Sequence, residues 1–292
     1  MYWILCRCVV VLHNLKKNKQ LHLQSCHKKT ITSLAYSSDG RFLATGECGH
    51  QPMLRVWDLQ DNVQVAEFPG HKYGISCVAF SPNLKYVVSV GSQHDMIVNV
   101  WDWKNSVKVA SNKISSKVKA VAFNSTGSHF VTVGNRHVKF WYLEYNRVSK
   151  FKLEPVPLMG RSAILGDQRN NYFRDVACGR GPCDELTYSI TKSGLLCQFN
   201  SRRLLEKWVE LQQAIDPTEC QVPPCLCHLL QSSPFQGVVM QVICVYNDHS
   251  MYVWDVRDLN RIGKSLSFLY HSACIWGVEV SPTNFHRFTT VP

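Results

Sequence analysis

The chain has 292 residues, 45% of them hydrophobic and 18% charged, with a formal net charge of +11. That is apolar material for one large core or two small ones, and no window reaches the ~18 consecutive apolar residues of a membrane helix. The positive balance admits acidic partners (nucleic acid, acidic protein tails, a membrane surface) without choosing among them.

From the N-terminus, Met1 to Leu15 is apolar, with Arg7 in its middle and Lys16-Lys17 after it. A signal peptide places its basic residues before the apolar run and a small-residue cleavage site after it, so the chain reads as intracellular and cytoplasmic. The basic stretch Lys16, Lys17, Lys19, Lys28, Lys29 reads as a solvated loop face. Of thirteen cysteines, Cys77, Cys178, Cys197, Cys244 and Cys274 lie in apolar strand patterns, where a free thiol behaves as a small hydrophobe. A reducing compartment argues against a disulfide framework. The cluster Cys220, Cys225, Cys227, His228 has the spacing C-x4-C-x-C-H, which is not that of a zinc site. No metal or cofactor is expected.

A repeat organises the chain. Residues 54–59 read LRVWDL, 98–103 VNVWDW, 138–143 VKFWYL and 251–256 MYVWDV, with Trp57, Trp101, Trp141 and Trp254 in register. The first two gaps are 44 and 40 residues, the period of a four-stranded propeller blade. A second landmark keeps step: HKKTITSLAYSS at 27–38, HKYGISCVAFSP at 71–82 and HSACIWGVEVSP at 271–282, with ISSKVKAVAFNS at 114–125 holding the frame without the His. Period-two alternation between landmarks, as in Ile75, Cys77 and Ala79 against Ser76, Val78 and Phe80, marks strands.

These features resemble the WD repeat, which implies an all-β propeller. The resemblance also implies a hydrogen-bonded network of His, strand Ser/Thr, turn Asp and Trp that pins each blade. The second unit carries all four as His71, Ser89, Asp95 and Trp101. The first keeps His27, Thr45 and Trp57 with Gln51 in the Asp slot, and the third has Asn135 there, Trp141, and no His. Asp248 stands six residues before Trp254, and His271 opens the last landmark. A buried carboxylate needs donors around it, so a neutral Asn suits a blade that lacks the His. All these residues are read as fold determinants.

After Trp141 the period blurs. Residues 187–199 read as strand, Lys-Ser-Gly turn and strand, with Phe199 in the Trp slot; residues 202–211 suit an outer strand or a short helix. Residues 213–236 hold Pro217, Pro223, Pro224 and Pro234 and little strand pattern, so about two blades of sequence are expected to be missing near residue 214. Residues 8–26 read as the outer two strands of a blade and 271–292 as the inner strand of another, which together could make one. The expectation is a single incomplete propeller over 1–292 of about five to six blades. They run approximately 27–69, 70–112, 113–153, 160–212 (degenerate) and 225–269 (damaged), with a partial blade from 271–292 and 1–26.

More specific stretches are TGECGHQPMLRVWD (45–58), VGSQHDMIVNVWDW (90–103), VGNRHVKFWYL (133–143), GRSAILGDQRNN (160–171), VACGRG (176–181), SGLLCQF (193–199), LLEKWVEL (204–211) and VYNDHSMYVWDVRD (245–258). They are similar to the N-terminal propeller of the family of WD repeat-containing protein 62 and mitogen-activated protein kinase-binding protein 1, over residues 8–212 and 240–282. The stretches at 204–211 and 245–258 favour the protein-62 branch. The resemblance implies a scaffold of the c-Jun N-terminal kinase (JNK) pathway, with kinases and spindle-pole, centrosome or microtubule components as partners in mitosis. It leaves room for a nuclear pool, an oligomer, or a truncated product without function.

Chemistry is not written into the chain. There is no G-x-x-x-x-G-K-[ST] loop, no G-x-G-x-x-G after a strand, no H-E-x-x-H and no G-x-S-x-G. Gly179-Arg180-Gly181 is a lone G-x-G, and the Asn124-Ser125-Thr126 sequon lies in a repeat turn. Ser81-Pro82, Ser233-Pro234 and Ser281-Pro282 are minimal proline-directed kinase sites that turn chemistry explains equally. The expectation is therefore a non-enzymatic binding platform, with rim loops Cys48–Met53, Gly91–Met96 and Lys104–Asn112 as candidate contact surfaces. A basic nucleic-acid-binding propeller is the alternative, without the aromatic-basic motif that an RNA-binding sheet carries.

Overall fold

Alternation in the sequence becomes alternation in burial: in TITSLAY, Ile31 and Ser33 point inward while Thr30 and Thr32 face out. A computed structural model describes residues 2–6, 8–14, 19–24, 29–143, 156–211, 225–231, 240–246, 249–269, 272, 277–280 and 288–291. Among these, helix is confined to two short 3₁₀ turns, Gly166–Asn170 and Gly181–Cys183, and no helix is long and apolar enough to cross a membrane.

The N-terminal strands β1 (Tyr2–Cys6), β2 (Val9–Asn14) and β3 (Lys19–Gln24) form a three-stranded antiparallel sheet. The first full blade is β4 (Thr30–Tyr36), β5 (Phe42–Cys48), β6 (Met53–Asp58) and β7 (Val63–Pro69), paired in chain order. The second is β8 (Ile75–Phe80), β9 (Tyr86–Gly91), β10 (Ile97–Asp102) and β11 (Val107–Lys113). The third begins with β12 (Val118–Phe123), β13 (His129–Gly134) and β14 (His137–Tyr142). The next strand, β15 (Val156–Pro157), pairs parallel to β11 as a fifth strand of the second sheet; β16 (Met159–Ser162) then completes the third. The third blade thus ends at residue 162 rather than 153, because the chain first detours to cover the β11 edge.

The degenerate and damaged units are also four-stranded. One is β17 (Phe173–Cys178), β18 (Thr187–Thr191), β19 (Leu195–Phe199) and β20 (Leu205–Glu210), so the LLEKWVEL stretch is an outer strand and not a helix. The other is β21 (Cys225–Gln231), β22 (Met240–Val245), β23 (Met251–Asp255) and β24 (Gly263–Phe268). Its first strand runs through Cys225, Cys227 and His228, where little strand pattern was legible. The last strands, β25 (Gly277–Val280) and β26 (Phe288–Val291), form a two-stranded sheet separate from the three-stranded N-terminal one. The N-terminal segment supplies three strands where two were expected.

One irregularity recurs in the blades and proves their equivalence. The ladder between third and fourth strands slips at Val56/Trp57, Val100/Trp101, Gln198/Phe199 and Val253/Trp254. The ladder between first and second slips at Ile31/Ser33, Ile75/Cys77, Phe173/Asp175 and Cys227/Leu229. Such bulges raise local twist, and their recurrence puts Phe199 in the Trp slot as the sequence suggests. Burial grades across a blade: β9 is buried along its whole length, whereas β20 and β24 are largely exposed.

By its contacts the chain divides into two compact units: Met1–Val118 with Tyr142–Met159, and Lys119–Trp141 with Gly160–Pro292. In the first, the β4–β7 sheet packs face to face on the β8–β11 sheet. Ala44, Leu54, Val56 and Phe68 meet Ile75, Val78, Phe80, Trp101 and Trp103. Trp57 faces the other way, onto Val10, Leu12 and Leu23. In the second, Tyr188, Ile190, Leu196 and Leu211 pack on Val242, Cys244, Tyr252 and Trp254. A blade is apolar on both faces, so it needs a neighbour on each side.

The turn between first and second strands places one residue in the left-handed region: Gly40 at φ 70°, Gly127 at φ 72°, and Leu84 at φ 55°. A side chain costs about 1–2 kcal/mol in that conformation, offset in part by the backbone entropy that glycine loses on folding. Leu84→Gly is expected to raise stability by about 0.5 kcal/mol and Gly40→Ala to lower it by about 1 kcal/mol. Denaturant melts check both, and an equal loss in the two variants would disprove the strain at Leu84.

Candidate functional site

In three blades a buried tryptophan is held by a hydroxyl on the neighbouring strand. In the first blade Trp57 Nε1 donates to Thr45 Oγ1 at 3.0 Å, in the second Trp101 Nε1 to Ser89 Oγ at 2.9 Å, and in the third Trp141 Nε1 to Thr132 Oγ1 at 2.8 Å. In the second blade His71 Nε2 lies 2.8 Å from Ser89 Oγ and 3.2 Å from Asn99 Nδ2. With Trp101 donating to Ser89, the serine proton is free for His71 Nε2, which leaves the imidazole proton on Nδ1.

Asp95 departs from expectation. His71 Nδ1 is buried without a hydrogen-bond partner. The Asp95 carboxylate instead accepts the backbone amides of Lys72 at 2.8 Å and of Tyr73 and Gly74 at 2.9 Å each. It clamps the loop that follows the histidine. Burial pushes the Asp95 carboxyl up, but the three amides together hold it below the usual carboxylate value. Burial lowers His71 to about 4, so it is neutral at pH 7.

The third blade does have a histidine, from a position the repeat frame does not mark. His137, at the start of β14 where the other blades carry Met53 and Ile97, lies 2.9 Å from Thr132 Oγ1 through Nε2. Burial lowers its pKa to about 4 as well. Asn135 forms an isolated bridge with Tyr172 and takes no part in the imidazole chain. The first blade replaces the Asp clamp with a buried ion pair: Arg55 donates to Glu47, both about 1% exposed, and Glu47 accepts the Met53 amide at 3.2 Å. Neither His137 nor the Glu47–Arg55 pair was among the expected site residues. Their signal is a charged or imidazole side chain at an inward strand position.

In the fifth blade Trp254 Nε1 is buried without a partner. Register explains why. Ser89 lies opposite Asn99, two residues before Trp101; the residue opposite Tyr252, two before Trp254, is Cys244. The hydroxyl slot holds a thiol. His27, Asp248 and His271 lie outside the described residues.

Above this network the loops of the first unit are laced by main-chain bonds. Gly49 N donates to Tyr73 O (2.9 Å), Gln51 N to Lys72 O (3.1 Å), Ser92 N to Gly74 O (2.7 Å) and Ile114 N to Met96 O (2.8 Å). Two of the three expected rim loops, Cys48–Met53 and Gly91–Met96, belong to this end. The third does not: from Val107 onward Lys104–Asn112 is strand β11, and its turn lies at the opposite end. Ser81, of the first Ser-Pro pair, is fully buried; it donates to Asn83 Oδ1 and accepts the Tyr86 amide. It is a turn residue closed to a kinase in the folded chain. Ser233 and Ser281 lie outside the described residues.

The WD domain, G-beta repeat family matches residues 18–58, 62–102 and 106–142. The chain is 49% identical to mitogen-activated protein kinase-binding protein 1 of Mus musculus, over 94% of its own length and 22% of that protein's. It is 44% identical to WD repeat-containing protein 62 of Sus scrofa, over 94% of its own length and 21% of that protein's. Over nearly its whole length the chain is similar to these two WD-repeat proteins. It spans about a fifth of the length of these relatives. The identities favour the kinase-binding branch over the protein-62 branch, against the lean drawn from 204–211 and 245–258. The alignment runs over 325 residues although only 94% of a 292-residue chain takes part, which leaves about fifty positions of the relative without a counterpart. In fold, the chain matches the RRP9 WD40 repeats (TM-score 0.70, 16% identity, 96% of this chain and 80% of that one). A chain of a mitotic checkpoint complex matches at TM-score 0.73, with 16% identity, 99% of this chain and 80% of that one. These two likenesses show the WD-repeat propeller fold alone.

Two consequences follow for stability. Ser89→Ala strands the Trp101 indole nitrogen and leaves His71 Nε2 with Asn99 alone, and is expected to cost about 2 kcal/mol, while Cys244→Ser gives Trp254 an acceptor and should hold or gain up to about 1 kcal/mol. Thermal melts of both variants decide; a Cys244→Ser loss as large as that of Ser89→Ala would disprove the slot equivalence. His71 and His137 have folded pKa values near 4 against an ordinary 6.5. The unfolded chain therefore binds protons at these sites between pH 6.5 and 4 while the folded chain does not. Stability is full above pH 6.5 and falls as pH drops toward 4, by about 3 kcal/mol per histidine at the low end. The double variant His71→Gln/His137→Gln should flatten that slope in melts run from pH 7.5 to 4.5; an unchanged slope would place the acid lability elsewhere.

Proposed function

We propose that this chain is a non-catalytic interaction platform that contributes to assembling a mitogen-activated protein kinase cascade of the JNK type. The observation that carries this reading is 49% identity, over 94% of the chain, to a protein named for binding a mitogen-activated protein kinase. The geometry supports it physically: rigid sheets hold loops whose backbones are fixed by bonds to one another, which lowers the entropy lost when a partner docks. The buried His71 and Ser89 and the half-buried Asp95 are engaged with their own blade, so the surface is left for recognition. In mitotic cells the protein-62 relationship extends the proposal to spindle poles, centrosomes and microtubules, from a cytoplasmic pool.

Tagged full-length chain, expressed in cells and captured under native conditions, is expected to retain JNK or its upstream kinase at ordinary salt. Absence of both kinases from the captured material, with the chain folded by circular dichroism, would overturn the kinase reading. Co-sedimentation with taxol-stabilised microtubules tests the spindle extension in the same way.

A further inference from the structure

The two ends of the hairpins in the first unit differ in how their charges are used. At the end formed by turns 37–41, 59–62, 81–85 and 103–106, carboxylates outnumber cations: Asp39, Asp58, Asp61 and Asp102 stand with Arg41, Lys85 and Lys104. The cations there are engaged. Arg41 bonds Asp58 at 2.7 Å, and Lys85 and Lys104 lie over the rings of Tyr86 and Trp103 at 5.3 and 5.6 Å.

The opposite end carries turns 49–52, 70–74, 92–96 and 114–117. Its exposed cations are Lys72, Lys113 and Lys117, accompanied by the exposed imidazoles of His50 and His94. None of the three lysines has an ion-pair or ring partner among the described residues. The carboxylates nearby do not pair with these lysines. Asp95 holds three amides, and Glu47 is buried against Arg55. Lys29 adds a further charge, anchored by its Nζ on Gln51 O at 2.6 Å. Among these cations Tyr73 stands 56% exposed, with its ring edge-on to His94 at 5.8 Å between centroids. An exposed aromatic within uncompensated positive charge, on a backbone fixed by inter-loop bonds, is a built receptor for an anionic chain with an apolar anchor.

We propose that this end of the first unit binds an acidic peptide segment carrying one aromatic or large apolar side chain, the carboxylates facing Lys72, Lys113 and Lys117 and the apolar group resting on Tyr73. The proposal rests on the platform reading above and names the surface and the chemistry of its partner. A peptide suits the site better than nucleic acid. The cations here are lysines acting as point charges, without the guanidinium fork that grips phosphate in two places. There is also one aromatic platform, where a nucleic-acid strand needs several in succession.

The test uses the full chain and a fluorescein-labelled twelve-residue Glu-rich peptide with a central Phe, read by anisotropy at low and physiological salt. The pair Lys72→Glu/Lys117→Glu is expected to weaken binding on the order of tenfold, and Lys85→Glu/Lys104→Glu at the other end by less than about twofold. Replacing the peptide's Phe by Ala should cost several-fold against the wild type and nothing further against Tyr73→Ala. Unchanged melting temperatures show that the exposed variants still fold. Equal weakening by the two charge-reversal pairs, or no binding at all, overturns the proposal. So does a single-stranded oligonucleotide of equal charge that binds more tightly and loses affinity through the same residues. Kinase capture separates this proposal from the one it rests on: capture retained with no peptide binding sinks the surface alone, and peptide binding without capture sinks the kinase reading alone.

Discussion

The bond from a blade tryptophan to a hydroxyl on the neighbouring strand is the interaction on which the ordered blades depend. It satisfies the indole N–H, which would otherwise be buried without an acceptor at a cost of about 1–3 kcal/mol, and it fixes the large ring against the adjoining blade. Because the ladder slips at that same residue, the indole is turned relative to its strand neighbours, and the hydroxyl determines where it comes to rest. The acceptor is present in the first three blades as Thr45, Ser89 and Thr132. The fourth blade substitutes Phe199 and so has no N–H to satisfy; its serine in the equivalent slot, Ser189, donates to Asp175 O at 2.8 Å instead. The fifth keeps Trp254 but not the hydroxyl. Degeneration of the repeat is therefore of two physical kinds, one that removes donor and acceptor together and one that strands the donor.

The same logic explains what was legible in the sequence. Strand pattern and period were visible because alternation and a large ring every forty or so residues leave a record in one dimension. Trp57, Trp101 and Phe199 share one ladder position for that reason. Partners within the polar network were less visible, since a hydrogen bond depends on which side chains meet and not on their spacing. His137 serves Thr132 from five residues downstream, whereas His71 serves Ser89 from eighteen residues upstream; only the second is a repeat feature. Strand β21 was hidden because Cys225–Gln231 lies close to Pro223 and Pro224 and lacks β-branched residues. It is recognised by its ladder to β22 rather than by composition. The proposed binding surface was legible in part: two of three rim loops lie together, but net charge alone could not show that one end has its cations neutralised and the other does not.

Edges are the remaining constraint. The outer strands β7, β20 and β24 expose apolar side chains, among them Val63, Val65, Trp208 and Leu266, and an unpaired edge of this kind invites pairing with another chain. The β11 edge is treated differently. Val156–Pro157 lies along it in parallel, Asn112 Nδ2 bonds Leu158 O at 2.7 Å, and Leu158 is buried. Proline suits that position because it cannot offer a donor on its far side, so the added strand ends the sheet instead of extending it. The detour that carries residues 156–158 to β11 delays the last strand of the third blade until Met159–Ser162. A blade boundary misplaced by sequence periodicity is thus the signature of an edge being capped, and the rigidity gained lies in the same unit whose loops carry Lys72, Tyr73 and Lys117.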